Sequence, residues 1–355
     1  MTEKLHTRTL RLRLKDKHSA FLRAQAREVN LVWNYCNEMS VRILEREHRF
    51  CSSADLDKLT AGATKEGLSL HSQTVQAISA ELVTRRKQFK KRRLAWRKSG
   101  GARRSLGWIP VKASALRYKG GQVWYCGKPL SLWDSYGLAD YTLGTGSFSE
   151  DSRGRWYLNV TVKVSAARNS ATAIVGVDLG LKDFIATSDG HKEAAQRFYR
   201  DLEPALAAAQ RANKKQRVKA IHAKIANRRK DALHKLSTRL VTEYGAIFVG
   251  NVNAAGLAKT RIAKSVLDAG WSAFRTMLQY KCDSAGVWFE EVDEAYSTQT
   301  CSCCEQRTGP KGVAGLGIRG WQCSACGTVH DRDVNAAKNI LARGRAGLAA
   351  GILVL

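Results

Sequence analysis

The chain has 355 residues, with 59 Lys and Arg against 31 Asp and Glu, so its formal charge is +28. A chain of that length is too long to form one ordinary hydrophobic core and fits two or three domains. A charge excess of this size predicts a polyanionic partner, and nucleic acid fits best. The sequence has no apolar run as long as the roughly 18 residues of a membrane span and no signal-peptide stretch in residues 1–20. We therefore expect a soluble, intracellular protein with no membrane partner.

The first predicted element is a short basic strand. Residues 4–14 (KLHTRTLRLRL) alternate Leu with basic or hydroxyl residues, as a strand with one apolar face does. From Ser19 to about Arg97 the apolar residues recur at helical spacing, which predicts a helical lobe. The two apolar stripes are Phe21, Val29, Val32 and Trp33, and Val75, Ile78 and Leu82.

The end of this lobe has the sharpest charge asymmetry in the chain. Between Val83 and Trp133 there are fifteen basic residues and no acidic ones. Phosphate contacts give affinity without strict spacing, so we predict a cationic helix that contacts RNA or a heteroduplex. A solvated helix is the alternative. The residues expected to bind nucleic acid are Arg85, Arg86, Lys90, Lys91, Arg92, Arg93 and Arg97.

A small β-domain is predicted next. Residues 106–164 are rich in aromatic and β-branched residues and include the alternating run YLNVTVKV. We expect the N-terminal strand to join this sheet or barrel, with the helical lobe inserted between them. Trp108, Trp124, Trp133 and Trp156 are expected in its core rather than as base-stacking platforms. The small-residue stretch from Ser165 to Thr172 is the predicted linker to the next domain.

The remaining chain predicts a mixed α/β domain. An apolar strand at 173–179 (AIVGVDL) is followed by a hairpin at 180–190 and by helices from about Leu202 to Glu243. Strands at 246–249 and 287–292 alternate with helices at about 265–285 and from about Asp333. This order is typical of a mixed sheet covered by helices.

Four cysteines have the spacing of a zinc ribbon. Cys301 and Cys304 form one Cys-x-x-Cys pair, and Cys323 and Cys326 form another eighteen residues later. Four thiolates predict a closed, structural Zn²⁺ site. Cys303 is an alternative ligand in a different pairing.

Acidic residues at predicted strand and helix ends are candidate ligands for catalytic metal. Metal-dependent phosphodiester hydrolysis needs carboxylates that converge from different segments. Asp178 ends a buried apolar strand, where an acid is costly unless it meets water or metal. Asp333 opens the last helix, where a simple helix cap is the competing interpretation.

Three segments together resemble the TnpB family of transposon-encoded RNA-guided nucleases, relatives of the type V CRISPR effectors. They are VGVDLGLKDFIATSDG, SVLDAGWSAFRTMLQYK, and STQTCSCC with CSACGTVHDRDVNAAKNIL, and the resemblance spans about residues 173–341. It implies a multi-domain α/β protein: an N-terminal β-barrel (wedge) with an inserted helical recognition lobe, then a ribonuclease-H-like RuvC domain with an inserted zinc ribbon. The implied bounds are 1–15 for the wedge strand, 16–105 for the recognition lobe, 106–170 for the wedge barrel, 171–296 for RuvC, 297–330 for the zinc ribbon that contacts target nucleic acid, and 331–355 for the last RuvC helix and tail.

The resemblance implies an Asp, Glu, Asp catalytic triad, and the middle acid is where this chain departs. The first and last positions fall on Asp178 and Asp333, with Asp331 a neighbour of lower rank. The family usually has glutamate where this chain has Gly250. We expect the strand at 287–292 to lie beside the strand that ends at Gly250, so Glu294 is our candidate replacement; a solvated loop charge is the alternative.

The resemblance therefore predicts an RNA-guided DNA endonuclease of a bacterial or archaeal cytoplasm, associated with the nucleoid. Its partners would be a guide RNA, from a transposon end rather than a CRISPR array, and double-stranded target DNA beside a short flanking motif. Two Mg²⁺ ions held by Asp178, Glu294 and Asp333 would serve hydrolysis. The rivals are a guided DNA-binding protein that cannot cut, favoured by Gly250, and an unguided transposase.

Overall fold

The computed structural model describes residues 5–165, 169–311 and 314–352, which fall into two units, Met1–Ser165 and Ala166–Leu355. Parts of the predicted first strand, linker, zinc-ribbon segment and tail lie outside the described residues. These parts are residues 1–4, 166–168, 312–313 and 353–355.

The first unit begins with a strand that pairs with the last strand of the same unit. Its elements are β1 (Leu5–Arg13), α1 (Ser19–Glu47), α2 (Ser53–Leu59), α3 (Ser72–Phe89), β2 (Trp108–Val111), β3 (Arg117–Lys119), β4 (Gln122–Tyr125), β5 (Lys128–Ser131), β6 (Leu143–Glu150) and β7 (Trp156–Ser165). β1 pairs with β7 along its whole length, from Leu5 opposite Ser165 to Arg13 opposite Tyr157. β1 thus lies in one sheet with β7, β6 and β2, and α1, α2 and α3 lie between β1 and β2 in the chain.

The strands of this unit form two sheets. One has the order β1-β7-β6-β2 and the other β3-β4-β5, and an isolated bridge between Leu14 and Leu132 connects them. Leu10, Leu12 and Phe148 on the sheet are fully buried and share one hydrophobic core with Val29 of α1 and Ile78 of α3. The inserted helices and the sheets therefore have a common interior.

The predicted helix up to Arg97 is wrong beyond Phe89. α3 ends where Lys90 takes a left-handed conformation, with φ of 49°. The chain then runs along α1, because the buried Asn37 side chain accepts from the Leu94 N–H at 3.1 Å and donates to the Leu94 carbonyl at 2.8 Å. An amide that serves both backbone groups of one residue replaces the helical hydrogen bonds there.

Two of the four tryptophans expected in the β-core lie on the surface instead. Trp156 is 1% exposed, but Trp124 is 37% exposed and Trp133 is 43% exposed. Side chains alternate along a strand, and the neighbours Val123 and Tyr125 take the buried positions of β4. Tryptophan spacing alone does not show which of the two faces is covered.

The second unit contains the mixed sheet. Its elements are β8 (Ile174–Leu179), β9 (Asp183–Thr187), β10 (Lys192–Ala194), α4 (Glu203–Arg211), α5 (Lys215–Glu243), β11 (Ala246–Gly250), α6 (Ala254–Leu257), α7 (Ala263–Ala269), α8 (Trp271–Ala285), β12 (Trp288–Val292), β13 (Gly320–Gln322), β14 (Val329–Asp331) and α9 (Arg332–Ile352). The sheet order is β10-β9-β8-β11-β12. β8 and β9 form the predicted hairpin, and β11 runs parallel to both β8 and β12. The predicted mixed α/β sheet is confirmed.

The parallel register brings three strand ends to one edge. Val249 pairs with Val177, and Gly250 pairs with Val292. Asp178, Gly250 and the residues that follow Val292 therefore lie at the same edge. None of the helices in the described ranges is long and apolar enough to cross a membrane.

Candidate metal centres

Glu294 fills the space that a side chain at position 250 would take. A Cβ atom at Gly250 would lie 2.5 Å from the Glu294 Oε2 atom and 3.3 Å from its Cβ atom. Both distances are shorter than ordinary van der Waals contact, so a side chain at position 250 would displace the Glu294 carboxylate. Glu294 follows the end of β12, and Asn251 accepts a hydrogen bond from its backbone N–H at 3.3 Å. A carboxylate from the neighbouring strand thus reaches the end of β11.

Asp333 faces the site, and its neighbour Asp331 caps the helix. Asp331 Oδ1 accepts from the backbone N–H groups of Asp333 and Val334, at 3.1 and 3.0 Å, as an N-cap side chain does. The Asp333 carboxylate is therefore not needed for the cap. It accepts instead from Arg319 Nη1, at 3.1 and 2.9 Å for its two oxygens. The cap interpretation of Asp333 does not fit this geometry.

The electrostatics of Asp178 reflect the other two acids. Burial, together with the negative charges of Glu294 and Asp333, raises the pKa of Asp178 to about 8, against the opposing effects of Arg332 and Lys192. Burial also raises the pKa of Glu294, with a contribution from Asp293, while Arg275 lowers it. A cation bound beside Asp178 would offset the burial and the negative charges that raise the pKa of this carboxyl.

Two cations lie beside these acids. Lys192 Nζ on β10 is 2.8 Å from Asp331, 3.6 Å from Asp183 and 3.9 Å from Asp333. Arg319 reaches Asp333 from the residue just before β13. They neutralise part of the negative charge of this edge.

Carboxylates fit hard divalent ions such as Mg²⁺, which prefer oxygen ligands. The acids stand farther apart than the ligands of one ion. Among the described residues, one group of three or more possible metal ligands has all its ligand atoms within 4.8 Å of one another. That group is the four cysteines, and it does not include Asp178, Glu294 or Asp333. A site for two ions about 4 Å apart accommodates a wider spacing.

The four predicted zinc ligands, Cys301, Cys304, Cys323 and Cys326, come together in the second unit. The Sγ atoms of Cys301 and Cys326 are 3.7 Å apart, and those of Cys304 and Cys323 are 3.6 Å apart. Cys303 is exposed and does not belong to the group. Four converging sulfurs suit a tetrahedral ion of the zinc type.

The thiols of this cluster differ in acidity. The Thr308 hydroxyl donates to Cys323 Sγ at 3.1 Å, and this hydrogen bond lowers the pKa of Cys323 to about 6. Although the Gln306 N–H lowers it, burial and the neighbouring sulfurs raise the pKa of Cys304 to about 12. Without metal the cluster retains protons, which a bound cation would displace.

The seven predicted nucleic-acid contacts do not share one helix face. Arg86 is 5% exposed, and its guanidinium donates to the carbonyls of Ser40 and Arg92, so its expected contact with nucleic acid is wrong. Arg97 is half-buried and donates to Asn30 at 2.6 Å and to the Leu106 carbonyl at 2.8 Å. These two side chains hold the segment to α1 and to the start of β2.

The other five predicted contacts are exposed. Two of them form ion pairs with acids, and three do not. Arg85 pairs with Glu81 at 2.7 Å, and Arg92 pairs with Glu45 at 2.9 Å. Within the described part of the chain, no ion pair forms at Lys90, Lys91 or Arg93. Of these five side chains, three are therefore cations without an ion-pair partner among the described residues, and two are partly neutralised by acids.

The comparisons with known proteins cover almost the whole chain. A Streptomyces pristinaespiralis protein named "Putative RNA-guided DNA endonuclease" is 32% identical over 359 aligned residues, covering 95% of this chain and 88% of that protein. The family model "OrfB_IS605: Probable transposase" matches residues 157–261, and "Cas12f1-like, TNB domain" matches residues 271–340. The chain belongs to the TnpB family.

Other relatives of this TnpB-family chain are more distant. The Escherichia coli K12 protein named "Putative RNA-guided DNA endonuclease InsQ" is 29% identical, covering 57% of each chain. The solved structure titled "Cryo-EM structure of the Cas12f1-sgRNA-target DNA complex" is similar in fold, with a TM-score of 0.62 at 13% identity, over 95% of this chain and 98% of that one.

Sequence reasoning missed several residues around the TnpB-family site. Arg319 and Lys192 contact its acids, and Asn335, Asn339 and Arg343 of α9 hold the segment that follows β12. The last three recur every four residues, which places them on one helix face. That spacing was visible in the sequence, but nothing there shows what the face covers.

Proposed function

We propose that this protein is an RNA-guided DNA endonuclease that cuts DNA matched to its guide, next to a short flanking motif. The observation that carries the proposal is the position of the Glu294 carboxylate, which takes the space left by Gly250 at the sheet edge of Asp178. The chain lacks a glutamate at position 250 and has a carboxylate in its place. This favours hydrolysis over the alternative of guided binding alone.

The proposed domains follow the described elements. Residues 1–15 and 106–170 would form a wedge-type β-barrel, with residues 16–105 as the recognition lobe inserted in it. Residues 171–296 and 331–355 would form the RuvC domain, and residues 297–330 a zinc ribbon that contacts target nucleic acid. The fold similarity to the Cas12f1 complex supports this division.

Asp178, Glu294 and Asp333 would hold two Mg²⁺ ions, and the four cysteines one Zn²⁺ ion. Mg²⁺ bound there would supply charge neutralisation and alignment for phosphodiester hydrolysis. Burial and the charges of Glu294 and Asp333 raise the pKa of Asp178, so a cation bound there would displace its proton. Lys192 and Arg319 limit the negative charge that approaching phosphate would meet.

Guide RNA and target DNA are the proposed partners. The charge of +28 and the exposed Lys90, Lys91 and Arg93 support a polyanion, and the titles of the relatives name guided endonucleases. Arg93 lies 5.7 Å from the ring centre of Trp96, a side chain that is 41% exposed. A cation beside an exposed aromatic ring suits a nucleic-acid backbone with its bases. We propose a transposon-end origin for the guide.

The test uses the protein purified with the RNA that it retains in cells. Sequencing that RNA defines the guide, and a matched DNA duplex then serves as substrate with Mg²⁺. We expect cleavage by the wild type, loss of cleavage in Asp178→Asn and Glu294→Gln, and normal cleavage in Glu243→Gln. Glu243 is an exposed acid at the end of α5 and serves as the matched control.

Three results would contradict parts of the proposal. Undiminished cutting by Glu294→Gln would remove this residue from the site. Tight, RNA-dependent binding without cutting by the wild type would identify a guided binding protein. DNA binding that does not require RNA would indicate an unguided transposase.

A further inference from the structure

Arg343 of α9 holds the chain on both sides of Glu294. Its Nη1 atom donates to the Asp293 carbonyl at 2.6 Å, and its Nη2 atom donates to the Ala295 carbonyl at 2.8 Å. We propose that Arg343 is a positioning residue that fixes the direction of the Glu294 side chain. This inference rests on the proposed role of Glu294 as a metal ligand.

The segment that carries Glu294 lies beyond the end of β12 and forms a turn, in which the Ser297 N–H donates to the Glu294 carbonyl at 3.0 Å. β12 ends at Val292, and Asp293, Ala295 and Tyr296 are exposed. Asn251 holds only the backbone N–H of Glu294, at 3.3 Å, which is a long hydrogen bond. Two short hydrogen bonds from one planar guanidinium therefore hold the peptide group before Glu294 and the peptide group after Ala295.

Arg343 itself stands on a firmly packed helix. One residue later, a Cβ atom at Gly344 would lie 2.1 Å from the Phe248 ring, so the backbone of α9 packs directly against this side chain of β11. One turn and two turns earlier, Asn339 and Asn335 donate to the Thr300 carbonyl at 2.7 and 2.8 Å. α9 thus fastens the segment that follows β12, and of these three side chains Arg343 contacts the residues nearest to Glu294 in sequence.

A glutamate at the end of a central strand would be oriented by the sheet itself. Glu294 instead lies beyond the end of β12, where the backbone no longer forms the hydrogen bonds of the sheet. Side chains that orient metal ligands are commonly worth about 10–100-fold in metal affinity or activity. Arg343 provides this orientation from outside the sheet, and it does so without contacting substrate or metal.

The experiment compares Arg343→Ala and Arg343→Lys with Arg345→Ala in the full chain bound to its RNA. Arg345 is an exposed arginine two residues away, so its substitution removes the same charge from the same helix. Three quantities are measured: the cleavage rate against Mg²⁺ concentration, the affinity for matched DNA, and hydrogen exchange of the amides of residues 293–297.

We expect Arg343→Ala to slow cleavage about 10–100-fold at limiting Mg²⁺, with partial recovery at high Mg²⁺ and unchanged DNA affinity. Its amides at 293–297 should exchange faster than those of the wild type. Arg343→Lys keeps the charge but cannot hold both carbonyls in one plane, so it should fall in between. Arg345→Ala should match the wild type in all three measurements.

The outcomes separate this inference from the proposed function. If Glu294→Gln is inactive while Arg343→Ala cuts and exchanges like Arg345→Ala, the positioning role is wrong and the proposed function stands. Equal loss of DNA affinity and cleavage in both Arg343 variants would indicate a general structural role and also overturn the inference. If Glu294→Gln cuts normally, the proposed site fails first, whatever Arg343 does.

Discussion

Gly250 and Glu294 occupy complementary positions: the Glu294 Oε2 atom lies 2.5 Å from where a Cβ at residue 250 would be. The family pattern places its glutamate on the strand, and this chain presents a carboxylate to the same space from the adjacent segment. A side chain at position 250 would therefore require the Glu294 carboxylate to move from the position that it takes here.

Gly250→Ala should impair cleavage although it removes no functional group. The added methyl would displace the Glu294 carboxylate and press on Ile340, whose Cδ1 atom would be 3.1 Å away. A displacement of about 1 Å near a reacting centre can cost about 100-fold in rate. Cleavage rates of the RNA-bound variant measure this, with Gly100→Ala as control because no atom lies within 4 Å of a Cβ there. Equal rates for the two variants would contradict the steric argument.

The stability of the metal-free protein should fall as pH rises toward 8. Burial and the nearby acids raise the pKa of Asp178 from its ordinary 3.8 to about 8, so between these values the folded protein binds a proton that the unfolded chain has released. Stability from this group is present below about pH 4 and is lost by about pH 8. The melting temperature of Asp178→Asn should fall less over that range. Identical pH dependence in both proteins would show that Asp178 is not buried among acids.

Substitution of Arg86 should lower the stability of the protein, whereas substitution of Arg93 should weaken RNA binding. Arg86→Ala removes a buried guanidinium and its hydrogen bonds to the carbonyls of Ser40 and Arg92, which should cost about 2–3 kcal/mol in the free energy of unfolding. Arg93 is exposed, so Arg93→Ala should leave the melting temperature unchanged and weaken RNA binding. The slope of log affinity against log salt should become shallower by roughly 0.7–0.9 for each phosphate that the variant no longer binds. An Arg86→Ala protein of normal stability but weaker RNA binding would reverse this assignment.

Zinc content should distinguish the neighbouring cysteines. Cys323→Ser should release the metal and lower the melting temperature, since binding and folding of such a segment are coupled. Cys303→Ser should retain one zinc per chain, because Cys303 lies outside the sulfur cluster. Metal analysis of the purified variants decides this. Zinc lost from Cys303→Ser and kept by a Cys301→Ser variant would establish the alternative pairing.

Much of the second unit was predictable, because its signals are local. The apolar run before Asp178 and the spacing of the cysteines each depend on a short stretch of sequence. The choice of Glu294 needed one further step, the expectation that the strand at 287–292 lies beside the strand that ends at Gly250, and β12 does pair with β11. The use of Glu294 as a ligand remains a prediction.

The errors arose where burial depends on a distant segment. Arg86 is interior because α1 and the strand-like run after α3 cover it, and the sequence around it shows only a dense basic stretch. The Arg319 contact with Asp333 joins residues that the β13–β14 hairpin brings together. Likewise, two acids two residues apart look equivalent as helix caps until the backbone shows that Asp331 performs that role.

The β13–β14 hairpin leads directly into α9, which carries Asp333 in its first turn. Gly320 pairs with Asp331 across β13 and β14, and the Arg332 N–H donates to the Arg319 carbonyl at 2.7 Å, one residue before Asp333. The hairpin that carries two of the cysteines is thereby connected to the backbone of Asp333, one of the proposed ligands. We expect a mild oxidant that ejects the zinc to silence DNA cutting without modifying a single acid, which would make the protein sensitive to the redox state of its host.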